Sequence, residues 1–358
     1  LVIATPCPLL IAIPVAIIGS ISLSAKRGII IKNPSVLEQI DDCTVMILDK
    51  TGTLTYGRPR LTEIKYFNGF SREDALKYAA SLEHYSRHPL AGAIIEAAQK
   101  ARLAFSNVNE ISEPAGQGLK GTVNGHEVMI TSRRKLIAQG QQEALRGIPE
   151  SGGLECLVTV DGKIAALLRF HDEPRQEGKF FIDHLNPRHN FKKVMIVSGD
   201  RESEVKYLAE QVGISEIHAG KSPEEKVEIV REETKHAKTI YLGDGINDAP
   251  ALATATVGIA FGQNSDITSE AAGAVVMESF LGKVDELMHI GRRMRAIALQ
   301  SAVGGMAVSV LGMIAAALGF LPPVAGAITQ EIIDVFAVLN ALRAAVPPKD
   351  LTDFEERS

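Results

Sequence analysis

Hydrophobic and polar positions divide the chain into an apolar start, a long polar middle and an apolar end. Residues Leu1 to Ser24 carry no charge, and Lys26 and Arg27 follow at once. A charge-free run of this length closed by basic residues predicts a membrane helix whose C-terminal end is cytoplasmic, here assigned to residues 1–25. Pro6, Pro8 and Pro14 would break a soluble helix, but broken helices are tolerated in membranes where they line a protein-enclosed site. From Gly28 to about His289 strand-like and helix-like runs alternate, which predicts an α/β body. Ala296 to Thr329 is again uncharged, Leu321-Pro322-Pro323 divides it, and the second half runs on to Leu342. Arg292, Arg293 and Arg295 precede this pair and Arg343 follows it. We therefore expect two membrane helices at 296–320 and 324–342, with cytoplasmic ends and a cytoplasmic tail at 343–358.

Within the polar body, Val45-Met46-Ile47-Leu48 runs straight into Asp49-Lys50-Thr51-Gly52-Thr53. That is a short buried strand delivering a carboxylate to the top of a sheet. Helical periodicity covers Ser71–Leu82 and Leu90–Ala101, with Pro89 in the first turn of the second helix. Leu119–Val123, Glu127–Thr131, Cys156–Val160 and Ile164–Phe170 read as antiparallel strands, turned at Asn124-Gly125 and Asp161-Gly162. Residues 56–166 then form an inserted α+β domain, and 26–55 with 167–289 form the body around it. Parallel strands resume at Lys192–Val197, Thr239–Leu242 and Val257–Ile259. Gly116-Gln117-Gly118-Leu119-Lys120-Gly121 fits a dinucleotide fingerprint by spacing, but it leads into a strand rather than a helix.

Composition narrows the function. The net charge of −5, the absence of Trp and the lack of any long basic block exclude a nucleic-acid partner. Cys7, Cys43 and Cys156 lie far apart and form no CxxC, which argues against a disulfide framework or a zinc knuckle. The chain begins at Leu1 inside an apolar run without the charged start of a signal peptide; we expect it to continue upstream.

Chemistry concentrates in a few places. Asp49, with a tight loop of backbone N–H groups and hydroxyls behind it, is placed to attack a phosphoryl group. Ser198-Gly199-Asp200 closes another parallel strand, where a hydroxyl and a backbone N–H can hold phosphoryl oxygens. Gly243-Asp244-Gly245-Ile246-Asn247-Asp248-Ala249-Pro250 follows a buried strand, and its two carboxylates make a Mg²⁺ site with Asp49. Cys7, between Pro6 and Pro8, offers a soft thiolate. Gln330, Glu331 and Asp334 lie inside the last apolar span, where ionisable groups usually mark an ion path; their spacing puts Asp334 on the face shared by Gln330 and Glu331. Cys7 and these oxygens form the expected ligand set for a transported ion.

The pentapeptide at Asp49 and the octapeptide ending in Pro250 resemble the two signatures of the P-type ATPases, and Thr5-Pro6-Cys7 resembles the metal-site motif of the heavy-metal members. The resemblance covers essentially the whole chain. It implies membrane helices plus a haloacid-dehalogenase-like parallel-sheet phosphorylation domain with an inserted nucleotide-binding domain. It also implies ATP-driven metal export through an aspartyl phosphate on Asp49, in a membrane (the plasma membrane), with ATP and Mg²⁺ as cofactors and the lipid bilayer as surroundings. Residue by residue, Lys50, Thr51, Ser198, Gly199, Asp200 and Lys226 would assist Asp49, and Thr51 would join Asp49, Asp244 and Asp248 around Mg²⁺. In the inserted domain, Ser86-Arg87-His88-Pro89 resembles the family's nucleotide element, so that Glu83, His88, Pro89, Gly116 and Gly118 would line the ATP pocket. Asp172 and Arg175 match the family's hinge. Thr stands at position 5 where many members have Cys, and this similarity to the Thr-Pro-Cys subgroup implies nickel, cobalt or iron rather than copper as the ion. No counterpart of the actuator domain is found in these residues. The alternative is a membrane-tethered haloacid-dehalogenase-type phosphatase, although Thr51 stands where such phosphatases carry a second acid.

Overall fold

The structure, a computed structural model, describes residues 7–86, 88–114, 118–138, 140–148, 154–244, 248–262 and 270–353; the side chains of Cys7 and Ala144 are excepted. Helix α1 (Cys7–Lys26) leads to β1 (Ile29–Ile31), α2 (Ser35–Gln39) and β2 (Val45–Leu48). The insertion supplies β3 (Thr55–Tyr66), α3 (Arg72–Glu83), α4 (Ala91–Lys100), β4 (Val108–Ser112), β5 (Leu119–Val123), β6 (His126–Thr131), α5 (Arg133–Ala138), β7 (Leu154–Val160) and β8 (Lys163–Pro174). The body resumes with α6 (Gly178–His189), β9 (Lys193–Val197), α7 (Glu202–Val212), β10 (Glu216–His218) and α8 (Pro223–His236). It continues with β11 (Thr239–Gly243), α9 (Ala249–Thr254), β12 (Val257–Phe261) and β13 (Ala274–Val276), and ends in α10 (Gly282–Ala317) and α11 (Pro323–Ala341). These form two compact units: Leu1–Leu54, Arg175–Gly199 and Leu208–Ser358 in one, and Thr55–Pro174 with Asp200–Tyr207 in the other.

In the first unit, seven strands lie in the order β1-β13-β12-β11-β2-β9-β10. All neighbours are parallel except β1, which pairs antiparallel with β13 at the edge. β2, β11 and β12 are buried at every position, as strands must be when helices cover both faces of a sheet. From β2 the chain builds outward on one side through β9 and β10, then returns to build β11 and β12 on the other. The carboxyl end of β2 is thus the point where strand order reverses, the place where open α/β sheets bind ligands. Asp49 sits there.

The inserted unit is a six-stranded antiparallel sheet in the order β3-β8-β7-β6-β5-β4. α3 and α4 pack on one face through Leu76, Leu82 and Ile94 against Val128, Val158 and Phe170. Two elements differ from expectation here. The strand anticipated to end at Phe170 runs to Pro174, and β3, a stretch to which the sequence assigned no element, pairs with it along most of its length. The segment Asp200–Tyr207 belongs to this unit through His171, whose Nδ1 lies 3.1 Å from Glu204 Oε1 and whose ring stacks on Tyr207 at 4.0 Å.

Among the described residues, three helices are long and apolar enough to cross a membrane: Pro8–Lys26, Gly282–Ala317 and Pro323–Ala345. α1 continues through Pro14 rather than breaking there; one missing N–H is the local consequence. Pro8 lies in the first turn, where no intrahelical donor is lost. The second span is not a separate helix beginning near residue 296. α10 has 36 residues, about 54 Å of length against about 30 Å of hydrocarbon, so its polar start stands clear of the lipid as part of the α/β body. Arg27 makes a two-pronged pair with Glu286 at 2.8 and 2.9 Å, joining the end of α1 to this foot. Arg292 reaches Asp41 at 2.8 Å and Arg295 reaches Asp42.

Candidate phosphoryl-transfer site

The site is built from chain segments far apart in sequence. β2 is hydrogen-bonded between β11 and β9, and Asp49 N–H donates to the Leu242 carbonyl at 2.9 Å. Asp49 is therefore set at a fixed height above the sheet, and it is 7% exposed. The loop Lys50–Leu54 turns away through Gly52 at φ +75°, and a Cβ on Gly52 would stand 1.6 Å from Asp244 Oδ2. Only glycine lets backbone approach that carboxylate so closely.

The Lys226 ammonium comes from α8, whose start is fixed by a reciprocal cap: Ser222 accepts from Glu225 N–H, and Glu225 accepts from Ser222 N–H. One turn further in, Lys226 Nζ donates to Asp49 Oδ1 at 2.6 Å and to Asp248 Oδ1 at 2.8 Å. Tyr241 OH donates to the same Asp248 oxygen at 2.9 Å. Carboxylate oxygens of Asp49, Asp244 and Asp248 lie within 4.8 Å of one another. Burial pushes Asp49 up to about 7, the Asp248 charge adds to this, and Lys226 opposes both. Three carboxylates gathered this closely, two of them hydrogen-bonded to Lys226, crowd like charge together, a condition a divalent cation relieves. The donor set fits Mg²⁺.

Arg175 braces the loop from behind. Its guanidinium donates to the carbonyls of Thr53, Gly52 and Ser279 at 2.7, 2.7 and 2.6 Å and lies over the Phe261 ring. Thr53 Oγ1 is buried without a hydrogen-bond partner among the described residues. Lys50 is buried and Thr51 exposed on the same loop. Ser198 is buried at the end of β9, its N–H bonded to His218 and its carbonyl to Lys221 N–H, with Gly199 beside it. Asp200 opens the segment that belongs to the inserted unit. Tyr241 was not foreseen as a site residue; it reads as one more buried strand position, and only its hydroxyl beside Asp248 distinguishes it. Arg175 was foreseen as a hinge residue, not as the brace of the Asp49 loop.

In the inserted unit a cavity of about 440 Å³ is lined by Glu83, His88, Pro89, Gly118, Thr131 and Cys156, among others. Glu83 is 4% exposed, and its Oε2 lacks a hydrogen-bond partner among the described residues. Burial pushes its carboxyl up to about 7, with the Glu113 charge adding and hydrogen bonding from Ser86 opposing. Pro89 falls just before α4 rather than within its first turn, since the helix begins at Ala91. Gly116 lies outside the described residues, as do 245–247 of the octapeptide and Thr5 and Pro6.

Of the residues expected on the ion path, Gln330 and Asp334 meet: Gln330 Nε2 donates to Asp334 Oδ1 at 3.0 Å, and Ser309 Oγ donates to Gln330 Oε1 at 3.1 Å. Glu331 does not join them. α11 packs along Gly326, Gln330, Ile333, Ala337 and Ala341, and a residue 100° round from Gln330 turns outward, so Glu331 is exposed. Cys7 lies in the first turn of α1, its side chain outside the described set.

Residues 43–256 match the haloacid dehalogenase-like hydrolase family, and the chain belongs to it. Within that class its relatives are heavy-metal P-type ATPases. It is 34% identical to a copper-exporting P-type ATPase of Legionella pneumophila over 96% of this chain and 48% of that protein. It is 33% identical to a zinc-exporting P-type ATPase of Mycobacterium marinum over 96% of this chain and 48% of that protein. A zinc/cadmium/lead-transporting P-type ATPase of Escherichia coli is 32% identical over 96% of this chain and 46% of its own length. The chain thus spans about half the length of the curated relatives it matches. A crystal structure of a zinc-transporting ATPase of this type superposes with a TM-score of 0.85 at 31% identity, over 96% of this chain and 56% of that one. These likenesses and the three candidate spans make the chain a multi-pass membrane protein. They also overturn the expected preference for nickel, cobalt or iron over copper, because the relatives are named for copper and for zinc, cadmium and lead. That preference had weighed the Thr-for-Cys exchange at position 5 and the mixed thiolate and oxygen set of Cys7 with Gln330, Glu331 and Asp334. Softness belongs to a whole coordination set and its geometry, not to one of its members.

Proposed function

We propose that this chain carries the catalytic machinery and three membrane helices of an ATP-driven heavy-metal exporter, working through a phosphoenzyme on Asp49. In this reading residues 26–55 and 167–289 receive the phosphoryl group and 56–166 hold the nucleotide. The observation that carries it is the meeting of Asp49, Lys226, Asp244 and Asp248 at the switch point of the sheet. One carboxylate oxygen of Asp49 forms a bond to the γ-phosphorus, and the bond from that phosphorus to the β,γ-bridging oxygen breaks. Its electron pair leaves with ADP. Lys226 holds the nucleophile's orientation and offsets charge during transfer, and Gly52 lets the loop approach without blocking Asp244. Mg²⁺ held by Asp49, Asp244 and Asp248 would supply neutralisation of the phosphate oxygens. Ser198 and the neighbouring N–H of Gly199 are assigned to the transferred group's oxygens, with Thr51 and Lys50 completing the loop. Asp200, in the segment that groups with the inserted unit, is assigned no contact to the phosphoryl group.

For ATP, the orphaned buried oxygen of Glu83 supports adenine in the 440 Å³ cavity, because an exocyclic amine would supply the donor it lacks. His88, Pro89 and Gly118 line the same cavity. On the ion path, Cys7, Gln330 and Asp334 are assigned to a copper- or zinc-class cation, as in the relatives' names, and Glu331 to its margin. Thr51 has no acidic proton to give, so a covalent phosphoenzyme outlasts the transfer, which disfavours the simple phosphatase. The test is ATP hydrolysis by the full-length parent protein in membranes, titrated with Cu(I), Zn²⁺, Cd²⁺ and Pb²⁺. Several-fold stimulation by at least one of them is expected; hydrolysis indifferent to all four would overturn the transport reading.

A further inference from the structure

Where α10 leaves the α/β body, three segments meet in a second cluster of potential ligands. His189 ends α6, Asp285 and His289 lie one turn apart on the polar foot of α10, and Asp353 comes from the C-terminal segment. Donor atoms of these four lie within 4.8 Å of one another. His189 Nε2 is 2.8 Å from Asp285 Oδ1, and His289 Nε2 is 3.5 Å from that oxygen and 3.3 Å from Asp353 Oδ2. Tetrahedral zinc with N and O ligands needs donor separations of about 3.3 Å. An ordinary hydrogen-bonded brace explains His189 and His184, whose Nε2 stands 3.1 Å from the same Asp285 oxygen. It does not explain His289: its Nε2 is buried between two carboxylates yet makes no hydrogen bond among the described residues.

We propose that His189, Asp285, His289 and Asp353 form a binding site for a zinc-class divalent cation, separate from the transmembrane path and from the Asp49 site. Asp285 and His289 are four residues apart, so both face the same side of the helix. The ligands' support is already in place. Asp285 Oδ2 accepts from Asp353 N–H at 2.9 Å and from Thr352 Oγ1, which holds the carboxylate and draws in the C-terminal segment. Leu351 is buried just before it. Arg188 Nε lies 3.9 Å from Asp353 Oδ2, a cation that the ion would displace. Two imidazoles and two carboxylates suit Zn²⁺ better than Mg²⁺. Occupied, the site clips α6, the foot of α10 and the C-terminal segment together at the joint between the catalytic body and a membrane helix. It stands independently of the transport reading, since it uses none of the residues assigned to ATP or to the ion path.

The test uses the full chain in detergent, stripped with chelator and held in excess Mg²⁺, and titrated with Zn²⁺ by equilibrium dialysis and with Co²⁺ by visible absorption. A Cys7→Ala, Asp334→Asn background removes the transmembrane ligands. The expected result is one Zn²⁺ equivalent and tetrahedral Co²⁺ bands that survive in this background. Adding His289→Ala or Asp353→Asn should abolish the bands and weaken Zn²⁺ binding at least ~10-fold. The thermal midpoint in chelator reports whether each variant folds, and either folded variant is sufficient to decide. Equal affinity and equal spectra with and without these substitutions would overturn the proposal.

Discussion

At the scale of single residues, Gly52 and Glu83 make the sharpest cases. Gly52 combines a left-handed backbone with a carboxylate where a Cβ would go, whereas Gly69, at φ +79°, has nothing within 4 Å. Replacing Gly69 by Ala should lower stability by only about 1 kcal/mol. Gly52→Ala must also displace Asp244, and a misplacement of that size should reduce Mg²⁺-dependent ATP turnover by ~100-fold or more. Equal losses in the two variants, measured as turnover and thermal midpoint, would contradict the assignment. Glu83 gives a pH signature. Its carboxyl goes from an ordinary value of 4.5 up to about 7 on folding, so the folded state holds the proton more tightly than the unfolded state. Its contribution is most favourable below 4.5 and is lost as pH rises through 7. Glu83→Gln should therefore stabilise the protein at pH 8, by something on the order of 2 kcal/mol, and make little difference at pH 4. Thermal midpoints across that range read the sign directly.

At the scale of elements, the packing of α1 on α10 depends on a small residue. A Cβ on Gly305 would stand 2.5 Å from Pro8 Cβ, while one on the neighbouring Gly304 meets nothing within 4 Å. Gly305→Val should destabilise this helix pair by about 1–3 kcal/mol, and Gly304→Ala should be neutral or mildly stabilising. Unfolding of the two variants in mild detergent compares them. This scale also shows how far the sequence could be read. The buried strands β2, β9 and β11 were legible because a parallel sheet covered on both faces writes continuous apolar runs. β3 was not. It is an edge strand containing Gly57 and Pro59, with its register broken between Thr55 and Pro59, and an edge tolerates a composition that a central strand would not. The continuity of α10 was hidden because its foot buries two acids, Asp285 and Glu286, among Val284, Leu287 and Met288, so that the charge-free run taken to mark a span starts well inside the helix. The acids of the candidate site were legible because two short local motifs carry them. Tyr241 was hidden among core residues, and Arg175 braces a loop 122 residues earlier in the chain, a contact that no local pattern encodes. The outward turn of Glu331 follows from which stripe of α11 packs, which spacing alone leaves undetermined.

At the scale of the whole molecule, one continuous helix and paired charges join the body that carries Asp49 to the helices long and apolar enough to cross a membrane. Arg27 with Glu286, Arg292 with Asp41 and Arg295 with Asp42 tie helix ends to the body that carries Asp49. Phosphorylation of Asp49 is read by acid-quenching the protein after brief exposure to Mg²⁺ and ATP labelled at the γ-phosphate. An acid-stable, hydroxylamine-labile adduct is expected, absent in Asp49→Asn and in reactions without Mg²⁺. ATP turnover with no adduct at any quench time, or an adduct that persists in Asp49→Asn, would contradict phosphorylation at Asp49.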